Sequence, residues 1–163
     1  VLETGAPLSE RKCPIDGVKI KSCIGCKSCA IMNGFGGAGA FSDGKYNITT
    51  EFGGTLHEHI GTEEAIRLME YVDGINLSYG GEGTKLYSAA NSGIKTLCLR
   101  NGLHLLDASV RHLGTDINYI VLENLYNKLS GAVDFFFRHK AGIYNKLFVK
   151  RNNSVFGYVF AFK

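Results

Sequence analysis

Residues 34 to 45, "GFGGAGAFSDGK", constrain the fold of this chain more than any other stretch. Glycine has no Cβ, so it adopts left-handed backbone angles freely and lets another backbone or a ligand approach closely. Crowded glycines therefore argue for a loop rather than the interior of a helix or strand. The bias extends beyond this stretch: the chain has 21 glycines and only 2 prolines, and its N-terminal half is the richer in glycine. The remainder is ordinary. At 163 residues, 45% hydrophobic and 20% charged, it has the size and balance of one globular domain.

Two nucleotide fingerprints overlap in this loop, and both fail on context. Gly34, Gly36 and Gly39 spell G-x-G-x-x-G, but a dinucleotide site needs a helix next, so that the pyrophosphate meets free N–H groups. The residues after it, "AFSDGKYNITTEF", carry no apolar helical stripe. Gly39, Gly44 and Lys45 spell G-x-x-x-x-G-K, but Tyr46 stands where a P-loop needs Ser or Thr for magnesium. What remains is a glycine-dense loop with the hydroxyl of Ser42, the carboxylate of Asp43 and the cation of Lys45 at its end. It serves either as tight turns alone or as a surface against a flat or anionic ligand.

Cys23, Cys26 and Cys29 stand at two-residue gaps, and Cys13 precedes them. Three close thiolates with a fourth nearby match the ligand spacing of a [4Fe–4S] cluster. Four thiolates also satisfy tetrahedral zinc, and unligated redox-active thiols are the third reading. Lys19, Lys21 and Lys27 favour thiolates in every case. Five cysteines in total, with no export signal, point to a reducing cytoplasm. Cys98 lies between Leu97 and Leu99 and reads as core. The net charge of +3 is spread along the chain, which suggests no dedicated nucleic-acid or membrane surface. No apolar run approaches the roughly 18 residues of a spanning helix.

Apolar periodicity predicts a helix from Thr62, as N-cap, to about Gly80, and a second over residues 92 to 100 closed by Asn101–Gly102. "LHLLDASVRHL" reads as a strand. Ile117, Ile120, Val121, Leu125 and Leu129 mark a third helix after "GTD". From Val133 the pattern turns to β, with three adjacent phenylalanines and two strands joined at Asn152–Asn153. The expected class is mixed α and β. The expected parts are a glycine- and cysteine-rich segment over 1–61, a helical stretch with one strand over 62–132, and antiparallel strands over 133–163. The lack of an initiator Met and the abrupt "VLETG" opening lead us to expect an internal piece of a longer protein. His57 and His59 could face a metal from one strand, though surface polar residues are the simpler reading. In "VRHLGTD", Arg111 could bind an anionic substrate and His112 could move a proton; a solvated pair and a helix cap are the alternative.

"GFGGAGAFSDGKYNITTEFGG", with "EEAIRLMEYVD" and "VRHLGTD", resembles the FAD-dependent dehydrogenases of bacteria and archaea, distant relatives of glutathione-reductase-type flavoproteins. The resemblance spans essentially the whole chain. It implies an incomplete FAD/NAD(P)-binding Rossmann-like domain with a C-terminal antiparallel β unit. It places Glu3 at a strand end, holding the adenosine ribose of FAD, and Gly36, Gly37, Gly39, Ser42, Asp43 and Lys45 beside the flavin and its diphosphate. His112 becomes the catalytic proton carrier. A small-molecule substrate, and NAD(P)H or another electron carrier, would be the partners. Set against this is an electron-transfer or structural metal module built on Cys13, Cys23, Cys26 and Cys29 without flavin.

Overall fold

The computed structural model describes residues 1–90 and 93–140 in full, and the backbone of 150–151 and 154–155. The protein is mixed α and β, with a small parallel pair of strands and a three-stranded antiparallel sheet. It groups into two compact units: Val1–Ala38 with Lys128–Lys163, and Gly39–Asn127.

In the first unit, β1 (Leu2–Glu3) pairs in parallel with β5 (Phe136–Phe137), Leu2 opposite Phe136 and Glu3 opposite Phe137. The pairing continues past both ends, since the Arg138 N–H donates to the Gly5 carbonyl at 2.8 Å and the His139 N–H to that of Glu3 at 3.0 Å. Phe135 stacks on Phe137 and meets Phe35 edge-on, with centroids 5.6 and 5.8 Å apart. Phe135 and Phe137 are half-buried, and Phe136 between them is 53% exposed. Farther along, β6 (Lys150–Arg151) and β7 (Ser154–Val155) pair antiparallel, as the turn at Asn152–Asn153 predicts. The other strand residues expected over 141–163 lie outside the described residues.

The second unit is built on β2 (Lys45–Ile48), β3 (Leu86–Ser88) and β4 (Ser109–His112), in the order β2–β4–β3. Two helices flank it: α2 (Thr62–Asn76), preceded by the short α1 (Leu56–Ile60), and α4 (Thr115–Ser130). The α2 helix matches its apolar spacing, but Gly61, at φ 84°, is the cap rather than Thr62. Beyond Asn76 the chain turns over Leu77–Gly81, where Gly80 at φ 127° ends the helical geometry. Ala65 and Val121 are fully enclosed, with Leu113 beside them in the core. Only the end of "LHLLDASVRHL" is strand. The α3 helix (Gly93–Arg100) is closed by Gly102 as expected, yet it buries no residue. Leu97 and Leu99 are each 60% exposed, so Cys98 between them is half-buried rather than core. No helix among the described residues is long and apolar enough to cross a membrane.

Candidate functional site

Glu3 ends β1, and its carboxylate fixes two backbone amides beyond the strand. One oxygen, Oε1, accepts the N–H of Gly5 at 2.7 Å and that of Gly34 at 2.9 Å. This ties the strand end to the glycine loop 31 residues later. The contact requires two glycines. A Cβ on Gly5 would lie 2.3 Å from the Gly34 nitrogen, and one on Gly34 would lie 2.6 Å from the Ala6 carbonyl oxygen.

Arg11 holds the loop from the other side. It is 6% exposed, and its guanidinium donates to the carbonyls of Ala30 (3.0 Å), Phe35 (2.6 Å) and Ile31 (2.8 Å). The turn beginning at Cys29, where Asn33 N–H donates back to the Cys29 carbonyl at 2.8 Å, is met by this rigid fork of N–H donors. Burial lowers the Arg11 pKa from its ordinary value, with the Glu3 carboxylate acting against it. Arg11→Lys keeps the charge but offers a single point donor. It should cost about 2 kcal/mol and speed amide exchange across 31–37; unchanged exchange would contradict this role.

Beside Glu3 lies a cavity of about 430 Å³, lined by Glu3, Gly34, Gly36, Gly37, Phe35 and Phe135 among others. Glu3 Oε2 accepts no hydrogen bond among the described residues. Gly36 and Gly37, at φ 80° and 53°, keep their backbone bare on this surface. Glu3, Gly36 and Gly37 thus line one cavity. The lining ends at Gly37.

Gly39, Ser42, Asp43 and Lys45 serve a different local purpose. A tight 3-10 turn over Gly37–Phe41 leads directly to β2, so no helix N-terminus follows the G-x-G-x-x-G. The Gly39 carbonyl accepts from Asn118 Nδ2 at 2.8 Å, and Ser42 Oγ accepts the Gly44 N–H at 3.0 Å. Asn118 is 1% exposed, and its Oδ1 accepts from the Tyr46 hydroxyl at 2.9 Å. Burial raises the Tyr46 pKa. Gly44, at φ 64°, sits where a Cβ would lie 2.9 Å from that of Asn118. On the exposed side, Lys45 pairs with Asp43 at 2.7 Å. The lysine, with a smaller contribution from His112, holds the Asp43 carboxyl below its usual range. His112, exposed at the end of β4 and opposite Lys45 in register, completes this polar cluster.

Arg111 is not available to a substrate. At 7% exposure it donates to both carboxylate oxygens of Asp73, at 2.5 and 2.7 Å, and to the Thr84 carbonyl at 2.6 Å. The pair with Asp73 raises its pKa. His57 and His59 lie on α1, a helix rather than a strand, and positions two apart on a helix do not share a face. Cys23 and Cys26 are exposed, Cys13 and Cys29 half-buried, and all four are free thiols. Among the described residues no three His, Cys, Asp or Glu side chains gather as a metal-ligand group, so this arrangement of the cysteines does not fit a metal or cluster. The loop that carries them is shaped instead by Asp16, whose Oδ1 accepts the N–H groups of Val18, Lys19 and Ile20; these bonds hold its carboxyl below the usual range.

Sequence reasoning missed Arg11, Asp73 and Asn118. Each acts through a partner far along the chain, and no local pattern announces such pairs. No family model, curated protein or solved structure matches this chain.

Proposed function

We propose that this chain is part of the cofactor-binding fold of an FAD-dependent oxidoreductase. Its Glu3 would hold the adenosine ribose, and Gly36 and Gly37 would lie against the dinucleotide. The observation that carries the reading is the shared cavity: a carboxylate fixed by two backbone amides, with its second oxygen unpartnered among the described residues, beside glycine backbone and aromatic side chains. The parallel pairing of β1 with β5 agrees with a Rossmann-like strand end. These residues fit the group. Ribose hydroxyls need an ionised acceptor held in place, and adenine needs an apolar slot that a Cβ at the glycines would narrow.

Bound flavin would supply the hydride and electron chemistry, and the protein would supply binding, orientation and electrostatics. Glu3 would accept the ribose hydroxyls. Gly39, Ser42, Asp43 and Lys45 would form the remainder of the flavin-side loop, supported by the turn that Asn118 holds in place. His112, exposed beside Asp43 and Lys45, would carry the proton. The substrate would be a small molecule, with NAD(P)H or another carrier as electron partner.

Glu3→Gln separates the structural from the binding role. The amide oxygen still accepts from Gly5 and Gly34, so the fold should persist, but the charge on the ribose acceptor is gone. ADP affinity should fall about 10–100-fold by calorimetry, with the unfolding midpoint little changed. Equal ADP affinity in the two proteins would remove Glu3 from the proposed site.

A further inference from the structure

The second unit holds another cavity, of about 380 Å³, which shares no lining residue with the Glu3 cavity. Its wall includes Lys45, Tyr46 and Asn47, three consecutive residues of β2. Successive strand residues face opposite sides of a sheet, so a cavity touching all three runs along the strand's edge.

That edge is open. The β2 strand is outermost in its sheet, and only its inner side pairs with β4. Leu113 N–H donates to the Gly44 carbonyl at 2.9 Å, and Lys45 stands opposite His112. In an antiparallel ladder this register turns the main chain of Tyr46 and Ile48 toward β4, and that of Lys45 and Asn47 outward. The far side of β4 obeys the same alternation: the Ala89 N–H bonds the Ala108 carbonyl at 2.9 Å, and Val110 pairs with β3. Asn47 keeps both its N–H and its C=O without a partner among the described residues.

Phe52, Leu56 and Met69 also line the cavity. The cavity thus offers an adjacent donor and acceptor on strand backbone together with apolar side chains. An extended peptide would need a longer run of free edge than a four-residue strand offers. A flat ring with one N–H beside one C=O needs only Asn47. We infer that this cavity binds a planar heterocyclic lactam, its N–H donating to the Asn47 carbonyl and its C=O accepting the Asn47 N–H. The ring itself would lie against Phe52, Leu56 and Met69. This assignment does not rest on the flavin reading, although Lys45, proposed for the flavin-side loop, also lines this cavity.

The test titrates the ¹⁵N-labelled protein with quinazolin-4(3H)-one and, separately, with its 3-methyl derivative, which lacks the N–H. The lactam should move the Asn47 amide resonance saturably, and the methylated compound should bind at least about tenfold more weakly, the loss of one donor. Met69→Trp should fill the cavity and abolish binding. Because that variant could fail to fold, the comparison of the two compounds on the unsubstituted protein decides the matter. No saturable shift at Asn47 at millimolar lactam, shifts confined elsewhere, or equal binding of both compounds would overturn the assignment.

Discussion

Replacing Arg111 with alanine will destabilise the protein by about 3–5 kcal/mol. The expectation comes from the ion left without its partner. Asp73 is 7% exposed and its two carboxylate oxygens are both engaged by Arg111, so truncation strands an ion in the core of the second unit. The Thr84 carbonyl loses its guanidinium partner at the same time. Equilibrium urea unfolding reads the effect directly. Arg111→Lys should lie between alanine and the natural residue, because an ammonium cannot span both oxygens and the carbonyl. Replacing the pair together, as Arg111→Met with Asp73→Leu, should recover much of the loss, since the cost lies in the unpaired charge. A loss below about 1 kcal/mol for Arg111→Ala, as for an exposed pair, would mean that Arg111 is not the buried anchor described, and would reopen it as a ligand for an anionic substrate.

The second large effect is expected from Gly34→Ala. Its φ of 115° is one that L side chains rarely adopt, and the added methyl would sit 2.6 Å from both the Ala6 carbonyl oxygen and Arg11 Cδ. The Arg11 side chain has little freedom to yield, being bonded to three carbonyls. Strain and overpacking together should cost about 3 kcal/mol or more. The loop should also pull away from Glu3, because the Gly34 N–H to Glu3 bond depends on this close approach. Thermal unfolding and ADP binding should therefore fall together, unlike Glu3→Gln, where binding falls alone. For stability, Gly37 is the control within the same loop: its Cβ would meet no protein atom within 4 Å, so Gly37→Ala should cost only the backbone term of about 1 kcal/mol in thermal unfolding. Equal effects at Gly34 and Gly37 would show that close packing is not what Gly34 provides.

These two residues also mark how far the sequence could be read. Elements with a long apolar period were legible: α2 and α4 fall where Ile66, Met69, Val121 and Leu125 place them, and the hairpin of β6 and β7 sits where its turn does. The failure of the G-x-G-x-x-G as a helix-opening fingerprint was legible too, because the residues after Gly39 lack a helical stripe and do form a tight turn and strand. The shape of the site was not. Arg11 reaches carbonyls about twenty residues away, Asp73 finds Arg111 at a separation of 38, and Tyr46 finds Asn118 at 72. Polar pairs of this kind leave no periodicity, since each needs only one residue of the right type at each end. The histidines on α1 were misplaced on a strand because "LHEHI" alternates polar and apolar over too few residues to separate the two periods. Cys98, between Leu97 and Leu99, read as core for a different reason: apolar character says what a side chain favours, not what covers it.

The central claim is that Glu3 and the glycine loop are part of an FAD site, and absorbance of the protein tests it most directly. Expressed in its natural reading frame and purified gently, the protein should be yellow, with flavin bands near about 450 and 370 nm that bleach on reduction. After the cofactor is stripped, titration with FAD should restore one equivalent, and Glu3→Gln should weaken that rebinding. A colourless protein that takes up no FAD in the titration would contradict the account.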